Sequence, residues 1–409
     1  MKYHILFILT IVILFSSCDQ NSILPTEEPR LGGWDYNWMV KVKTFINDGD
    51  EYFKPAYDKL IEDAEKAMEE GPFSVTYKKL VPPSGSKHDY MSMGPYWWPD
   101  PDKEDGLPYI RKDGEVNPER NNTDSPQLSG LVNNVRILSL AWFFSGKTEY
   151  AEKAADLSRV WFLKEETLMN PHLEYAQAIP GRTPGRFIGV IDAAKLHTLV
   201  DAIALLEQSN ALTEEEEEGI TLWFKRYLRW LIESEHGVNE DNYRNNHSVA
   251  YDVQSTGIAY FIGDKDFVAR KARELPRRRI DPMIEEDGSQ PHELIRTKAF
   301  GYSVSNLNNF FNVGEKGLKV GVDFFDYKNV KGGSLQKALD YLISYIGKEN
   351  EWPYQQISDW EGTENRLGLI IRRAAKIYKD ESYQKIWNGI YYEKLKTDWQ
   401  LLVIPGNLN

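Results

Sequence analysis

Apolar residues recur every three or four positions through most of the chain, and this spacing is typical of amphipathic helices. Tyr57, Leu60, Ile61 and Ala64 show it within the segment 34–70. Farther along, the same spacing predicts helices near residues 128–145, 148–163, 187–208, 213–234, 247–262, 265–275, 292–312, 334–347, 363–379 and 382–391. Only the stretches 73–80 and 401–404 predict strands.

The connections between these helices are short, and several carry Gly or Pro, as at Ser145-Gly146 and Gly332-Gly333. No repeat of fixed period runs through the sequence, which argues against a tetratricopeptide-type solenoid. Regular pairs of helices favour helical hairpins that close into an incomplete α/α toroid. The prediction is therefore a mainly all-α fold with few short strands, in one domain that spans residues 34–409.

Two long loops interrupt the helices. The irregular section 71–127 contains the run Met93–Pro101, MGPYWWPDP, and the loop 170–186 carries Arg182 and Arg186 on Gly/Pro turns. Loops of this length in a compact domain are usually functional. The alternative for the first loop is a plug that closes one end of the fold.

The N-terminal residues 1–18 read MKYHILFILTIVILFSSC and end on the only Cys of the chain. Their apolar run is short for a membrane span and therefore predicts a signal peptide. The residues before Cys18 resemble a bacterial lipobox, which predicts lipidation of this Cys; an ordinary signal peptide with an incidental Cys is the alternative. Residues 19–33 would form a tether. We expect an exported protein, periplasmic or lipid-anchored at the outer membrane of a Gram-negative bacterium.

Composition changes this picture in two ways. Aromatic residues make up 13% of the chain, with 12 Trp, and such rings serve carbohydrate-binding proteins as stacking surfaces, although a given Trp is more often core. The formal net charge of −13 argues against nucleic acid as a partner. An anionic polysaccharide would need a local basic cleft.

Chemically distinctive side chains concentrate in two stretches, 242–247 and 285–308, and include an imidazole, amides, guanidiniums and a phenol. Glycoside hydrolases use paired carboxylates, whereas this set suits cleavage of a uronic-acid polymer by β-elimination. That reaction removes the C5 proton, alpha to the sugar carboxylate, and expels the C4 oxygen. It requires donors that neutralise the carboxylate, a base near C5 and an acid near the leaving oxygen.

Asn245, Asn246 and His247 fit the neutralising role, although Asn is also a good helix N-cap, and a capped helix with a partly buried His is the alternative. Tyr302 can act as the base if neighbouring cations lower its pKa. Arg296 lies six residues earlier, which on an unbroken helix places the two side chains about 120° apart. From there they would converge on a ligand from two sides.

Three motifs carry a family resemblance. They are the loop Gly94-Pro95-Tyr96-Trp97-Trp98-Pro99; Asn245-Asn246-His247 followed by Tyr251-Asp252-Val253-Gln254; and Arg296-Thr297 followed by Tyr302-Ser303 and Asn306-Leu307. Together they resemble the alginate lyase superfamily of α/α-toroid polysaccharide lyases, and are most similar to its family 38 type, which includes alginate and glucuronan lyases. The resemblance extends from about residue 34 to the end. It implies a toroid with an Asn/His neutraliser, Tyr302 as both base and acid, and Arg296 beside it. Gly301 stands where relatives often place a bulky residue or His, which puts more weight on His247.

Other side chains are candidates for binding the sugar chain. They are Tyr96, Trp97 and Trp98 for stacking on sugar rings; Arg182, Arg186 and Arg244 for pairing with carboxylates; and Tyr175, Gln177, His197 and His292 as further contacts. The expected partner is an anionic polysaccharide, either alginate/mannuronan or glucuronan, bound by a monomer that uses no metal and no cofactor.

Two other functions remain open at this point. A glycoside hydrolase on the same toroid would use a carboxylate pair such as Asp252 and Glu293. A non-catalytic surface glycan-binding lipoprotein would keep the aromatic loop and the arginines but would not need Tyr302. For a lyase, one tyrosine that serves as base and acid favours syn elimination and hence mannuronate- or glucuronate-type linkages. The choice between these two sugars, and between endo and exo cleavage, stays open.

Overall fold

The structure is a computed structural model that describes residues 28–407. The predicted signal peptide, Cys18 and residues 19–27 of the predicted tether lie outside the described residues. Within 28–407, no helix combines the length and the apolar run that crossing a membrane would require.

Helices dominate the fold. In chain order they are α1 (Tyr36–Asn47), α2 (Lys54–Met68), α3 (Ser125–Ser145), α4 (Thr148–Phe162), α5 (Leu196–Leu206), α6 (Glu214–Glu233), α7 (Glu235–Asp241), α8 (Asn246–Phe261), α9 (Lys265–Leu275), α10 (Asp281–Met283), α11 (Pro291–Leu294), α12 (Ala299–Lys319), α13 (Leu335–Ile343), α14 (Trp360–Tyr378), α15 (Glu381–Ile386) and α16 (Tyr392–Leu395). The strands are short: β1 (Met91–Met93), β2 (Trp97–Trp98), β3 (Ile110–Arg111) and β4 (Tyr175–Ala178).

The helices form two layers. In the inner layer α3, α5, α8, α12 and α14 pack side by side in this order, and α2, α4, α6, α9 and α15 lie against their outer side. Helix α8 is buried almost throughout, so it has no polar face to turn toward solvent. Helix α6 is amphipathic and begins with a run of Glu and a capping box between Thr213 and Glu216, as expected for an outer helix. The predicted mainly helical toroid is confirmed.

The C-terminal segment fills the seam between α14 and α3. The ring of Trp399 lies under the guanidinium of Arg136 on α3, 4.5 Å from its carbon. On the other side, Arg372 of α14 donates a hydrogen bond to the carbonyl of Ile404 at 3.3 Å. The predicted strand at 401–404 is therefore wrong, because this stretch is a 3-10 turn, Trp399–Leu402, that bridges two helices.

The segment Leu31–Trp34 closes one end of the ring. The backbone N–H groups of Gly32 and Gly33 donate to the carboxylate of Asp201, at 2.5 and 2.8 Å. The Lys319 ammonium donates to the carbonyl oxygens at both ends of the segment, at 2.6 Å each. The last residues of the predicted tether thus pack against the inner helices.

Four short strands occur in the two long loops, at positions where the sequence pattern predicts none. β1 pairs in parallel with β4, and β2 pairs antiparallel with β3. The strand predicted at 73–80 is wrong, since that stretch is a loop with a 3-10 turn at Val75–Tyr77. The β1–β4 pair ties the two long loops to each other, and this fixes the aromatic run that follows β1.

The helix predicted over 292–312 is broken. Helix α11 ends at Leu294 and α12 begins at Ala299. In the gap, Lys298 pairs with Gln356 in an isolated bridge, and the N–H of Ala299 donates to the carbonyl of Gln355 at 2.9 Å. A segment distant in sequence thus interrupts the helix just before Tyr302. The helix predicted over 187–208 is divided in a similar way, into a 3-10 stretch, Phe187–Ala193, and α5.

Candidate active site

The first turn of α8 forms one side of the site. Asn245 is the N-cap of this helix, and its side chain accepts a hydrogen bond from the backbone N–H of His247 at 3.1 Å. Asn245 therefore acts as a helix N-cap, which is the alternative that the sequence analysis considered for it. Because its oxygen is used in this way, Asn245 serves to fix the positions of Asn246 and His247.

A buried carboxylate orients His247. Its Nδ1 lies 2.8 Å from Oε1 of Glu240, a fully buried residue at the end of α7. An edge-to-face contact with the ring of Tyr243, at 5.7 Å between centroids, holds the imidazole from a second direction. Since Nδ1 is occupied, Nε2 is the ring nitrogen available to a ligand.

Asn246 and Glu293 join the two halves of the site. The backbone N–H of Asn246 donates to Oε1 of Glu293 at 2.7 Å. In the described part of the chain, the side-chain Oδ1 of Asn246 and Oε2 of Glu293 are buried without a hydrogen-bond partner. Burial raises the pKa of Glu293 to about 7, although the Asn246 N–H and the charges of Arg296 and His247 act in the opposite direction. The contact between Asn246 and Glu293 ties α11 to the first turn of α8.

Arg296 and Tyr302 form the other side. The guanidinium donates to the Tyr302 hydroxyl at 3.0 Å, and its carbon lies 4.1 Å from the centre of the tyrosine ring. Arg296 belongs to the segment between α11 and α12, so it reaches a position that a residue on a continuous helix would not. The sequence predicts that these two side chains converge on a ligand. In the structure they also contact each other directly.

The Tyr302 hydroxyl has a second partner from the aromatic loop. It lies 2.8 Å from the hydroxyl of Tyr96. Burial raises the pKa of Tyr302, the nearby Tyr96 adds to this, and Arg296 acts in the opposite direction. The net direction of the pKa of Tyr302 is upward, so the described residues do not meet the condition that neighbouring cations lower it.

An aspartate that the sequence reasoning did not identify connects the loop to Arg296. Both carboxylate oxygens of Asp113 accept from the guanidinium, at 3.0 and 3.2 Å, and one also accepts from the Thr297 hydroxyl at 3.1 Å. The next residue, Gly114, has φ +81°, and a Cβ there would come within 2.5 Å of the Thr297 hydroxyl. Only Gly tolerates both the positive φ and the close approach of the Thr297 hydroxyl. The loop after β3 is thereby held against the segment before α12.

Two arginines flank Trp97 at the mouth of the site. The guanidinium carbons of Arg182 and Arg186 lie 5.3 and 5.8 Å from the centre of the Trp97 ring. Arg186 also donates to the carbonyl and to the side-chain oxygen of Gln177, at 3.0 and 2.8 Å. Burial lowers the pKa of Arg186 to about 10. The cluster supplies positive charge beside an aromatic face, as an anionic sugar would require.

Gln177 supports Arg186 from behind. It is buried, its φ is +49°, and its amide nitrogen donates to Asp192 at 2.8 Å. Because both ends of its side-chain amide are occupied, Gln177 positions Arg186 and has no free group for a sugar. A non-Gly residue with positive φ near a cleft often marks a functional site.

The remaining candidates lie around this centre with fewer contacts. Trp98 donates from its indole to the carbonyl of Glu115 at 3.0 Å. Arg244 is exposed between α7 and α8, and His292 is partly buried on α11. Tyr175 lies on β4, 6.4 Å from the ring of His172. Among the described residues, Arg244 and His292 make no side-chain ion pair or hydrogen bond within the fold.

Comparison with known proteins identifies the family to which the chain belongs. The alginate lyase family model matches residues 74–352. The chain belongs to the alginate lyase family. It is similar to a crystal structure of an alginate lyase from Bacteroides ovatus, with 39% sequence identity and a TM-score of 0.89 over 92% of this chain and 100% of that one.

More distant structures share the fold of this alginate lyase family member. Alginate lyase A1-III from Sphingomonas species A1 matches at 15% identity and a TM-score of 0.52, covering 89% of each chain. A variant of A1-III complexed with a tetrasaccharide matches at 16% identity and a TM-score of 0.56, covering 87% of this chain and 90% of that one. No curated protein matches the chain.

Membership of the family makes this protein a polysaccharide lyase, and the geometry argues against the hydrolase alternative. Asp252 lies in a buried ion-pair cluster, 3.1 Å from the ammonium of Lys271 and 2.7 Å from the guanidinium of Arg279. Both oxygens of this buried carboxylate are engaged by these cations, so Asp252 is not available to contact a sugar. Asp252 and Glu293 therefore do not form the carboxylate pair that a glycoside hydrolase would need.

Proposed function

We propose that this lyase cleaves a polymer of mannuronate or glucuronate by syn β-elimination, with Tyr302 as base and then acid. The observation that carries the proposal is the position of the Tyr302 hydroxyl, which lies within hydrogen-bond distance of both Arg296 and Tyr96. General acid–base groups need a defined orientation, and these two contacts supply it. The remaining residues meet the other requirements of the reaction.

The first requirement is neutralisation of the sugar carboxylate. His247, with Nδ1 committed to Glu240, leaves Nε2 to contact the sugar carboxylate, and in the imidazolium form this contact is a charge-assisted hydrogen bond. Asn246 offers its side-chain amide, which makes no hydrogen bond within the described residues. These donors stabilise the negative charge that spreads onto the carboxylate when the C5 proton leaves.

The second requirement is proton transfer. The Tyr302 phenolate takes the C5 proton, the electrons of that bond form the C4–C5 double bond, and the bond between C4 and its oxygen breaks. Tyr302 then gives the proton to the departing oxygen. Arg296 stabilises the phenolate, whereas burial and Tyr96 favour the phenol. The active fraction of the enzyme therefore grows as the pH rises.

The third feature is the choice of sugar. In mannuronate and glucuronate the C5 proton and the C4 oxygen lie on the same side of the ring, so one phenol can serve both. In guluronate they lie on opposite sides, and a separate base would be needed. His247 is the obvious candidate for that base, but its available ring nitrogen, Nε2, is already assigned to neutralising the sugar carboxylate.

The aromatic loop provides the surroundings of the reacting sugar. Trp97 with Arg182 and Arg186 presents a ring face beside two positive charges. This combination suits a neighbouring uronate of the same chain, because the ring stacks on the sugar while a guanidinium pairs with its carboxylate. The overall charge of −13 makes such a local basic surface necessary for an anionic substrate.

Absorbance assays with defined polymers test the proposal. The purified enzyme is incubated with mannuronan, glucuronan and guluronan, and the ultraviolet absorbance of the unsaturated product is followed, with neutral mannan as the control. We expect faster cleavage of mannuronan or glucuronan than of guluronan. Fastest action on guluronan would contradict the single-tyrosine mechanism. Release of reducing ends without absorbance would instead reveal hydrolysis.

A further inference from the structure

A cavity lies inside the ring of inner helices, separate from the aromatic loop. Its volume is about 360 Å³, within the roughly 300–1,000 Å³ usual for small-molecule sites. All of the inner helices contribute to its wall, including Arg136 on α3, Val253 on α8, Asn309 on α12 and Arg373 on α14; Lys195, the residue before α5, completes it. We refer to it as the bore cavity.

The bore cavity lies farther along the two helices that carry Tyr302 and Asn246. On α12, Ser305 and Asn309 follow Tyr302 at positions i+3 and i+7 and therefore share its helix face. Both line the cavity. On α8, Val253 follows Asn246 at i+7 and lines it as well. A ligand could thus extend from Tyr302 and Asn246 along these two faces into the ring.

Charges at the far end of the bore cavity are already paired. Arg373 forms an ion pair with Glu315 at 2.8 Å and donates to Asn308 and Asn312 at 2.7 and 2.9 Å. The Asp201 carboxylate accepts from two backbone N–H groups of the N-terminal segment. A charged ligand at this end of the cavity would therefore gain few new ion pairs.

The wall formed by α3 and the start of α5 is different. Lys195 forms no ion pair or hydrogen bond through its ammonium within the described residues, and Arg136 has a buried Nε without a partner there. The only side-chain hydrogen bond of this guanidinium goes to Asn133 at 3.2 Å. Asp398 influences Arg136 from a distance, but its own oxygens accept hydrogen bonds from Gln400. Neither cation forms an ion pair within residues 28–407, although the Arg136 guanidinium also lies over the Trp399 ring.

The pKa values of Arg136 and Lys195 are both lowered. Burial lowers the pKa of Arg136 to about 10. Burial also lowers the pKa of Lys195, and the charges of Arg136 and Arg120 lower it further. Lys195 is exposed and Arg136 is partly buried, and an anion in the cavity would give both cations a partner that the described residues do not supply.

Neutral polar groups lie around the two cations. Ser305, Asn309 and His197 line the same cavity. Burial lowers the pKa of His197 well below its usual value, and its Nδ1 is buried without a partner in the described chain. A neutral imidazole, an amide and a hydroxyl suit the hydroxyl groups of a sugar, whereas the cations suit its carboxylate.

We infer that the bore cavity binds one hexuronate sugar, with its carboxylate on Lys195 and Arg136 and its hydroxyls on the neighbouring polar groups. The sugar is either a free monouronate or the terminal unit of a chain held at Tyr302. That the ligand is a uronate rests on the proposed function, whereas its anionic character rests on the two cations that line the cavity without an ion pair in the described residues.

Calorimetric titration with D-glucuronate tests the site directly, with D-glucose as the uncharged control. We expect glucuronate to bind and glucose to bind at least about tenfold more weakly, since a charge-assisted contact is lost. The Lys195→Gln variant should lose about tenfold in glucuronate affinity, while Lys225→Gln, on the exposed face of α6, should lose none. Melting temperatures of both variants verify that they are folded. Arg136→Gln serves as a second variant at the site.

Kinetics on oligouronates distinguish the two sources of the sugar. If a free monouronate is the ligand, glucuronate binds and Lys195→Gln abolishes its inhibition of cleavage. If a chain end is the ligand, glucuronate binds weakly or not at all, and Lys195→Gln raises KM for short oligouronates about tenfold with kcat retained. If neither Lys195→Gln nor Arg136→Gln changes either measurement, the inference is wrong. Glucuronate binding that depends on Lys195, in an enzyme that cleaves no polyuronate, would refute the proposed function and leave the site intact.

Discussion

The guanidinium of Arg296 contacts Tyr302 twice, as a hydrogen-bond donor to its hydroxyl at 3.0 Å and as a cation over its ring at 4.1 Å. The first contact stabilises negative charge on the oxygen, and the second keeps the ring in place. Both depend on the break between α11 and α12, because a continuous helix would direct these side chains about 120° apart. The break is therefore part of the site.

Replacing Tyr302 with Phe removes the ionisable oxygen and keeps the ring under Arg296. We expect turnover to fall by roughly 10²–10⁴ or more, since a general acid–base step contributes about this much, while the melting temperature changes little. Absorbance kinetics and thermal unfolding provide the two measurements. Tyr77→Phe, at an exposed tyrosine, is the matched control and should retain full turnover. Near-normal turnover of Tyr302→Phe would exclude the assigned role.

His247 and Arg296 should act mainly in the transition state. His247→Ala and Arg296→Ala are expected to lower kcat far more than they raise KM, because their contacts strengthen as charge develops. Asn245→Ala is the contrasting variant: its loss of the N-cap should cost about 1 kcal/mol of stability and lower kcat far less, because the side chains of Asn246 and His247 remain. Steady-state kinetics with urea unfolding separate these outcomes. An increase in KM alone would make His247 and Arg296 binding residues and leave the neutraliser elsewhere.

Asp113 should matter through Arg296. Asp113→Asn removes the charge that holds the guanidinium and the loop after β3, so we expect kcat/KM to fall by roughly ten- to hundredfold through misplacement of Arg296. Asp102→Asn, at an exposed acid of the same long loop, is the control and should behave like the wild type. Equal activity of the two variants would show that the Asp113 contact has no part in orienting Arg296.

The ionisation of Glu293 should be visible in the stability of the fold. Its folded pKa of about 7 lies above the usual 4.5, so the protonated carboxyl stabilises the fold fully below about pH 4.5, and this contribution disappears as the pH rises through 7. The change amounts to up to about 3 kcal/mol.

Urea unfolding across this pH range, compared with Glu293→Gln, measures that contribution. The variant has no proton to lose and should lack this part of the decline, whereas Glu286→Gln, at an exposed acid, should follow the wild type. Identical pH dependence in the wild type and Glu293→Gln would mean that Glu293 titrates normally.

The sequence pattern predicts the helices well because each inner or outer helix satisfies its own hydrophobic period. It also places Asn246 and His247 at a helix start, since capping is a local property. The break before α12 is different, because it depends on pairing of Lys298 with Gln356. Propensity within a short window contains no information about such a partner.

The acids that contact Arg296 and His247 could not be predicted from the sequence for the same reason. Asp113 lies 183 residues from Arg296, and no periodicity connects them. Its one local signal is the Asp113-Gly114 turn within a long loop. Glu240 is closer to its partner, seven residues before His247, but the two belong to different helices. Gln177 illustrates the converse, as a predicted sugar contact whose amide is occupied by Arg186 and Asp192.

The anchoring of Leu31–Trp34 on Lys319 determines which way the enzyme faces when it is held by its N-terminal side. Lys319 is the last residue of α12 and Tyr302 lies in its first turn, so the two are separated by roughly 25 Å along the helix axis. Attachment through residues ahead of Arg30 would hold the protein by the end opposite Tyr302. An enzyme immobilised on a bead through that side would keep its cleft turned toward the surrounding polymer and away from the support.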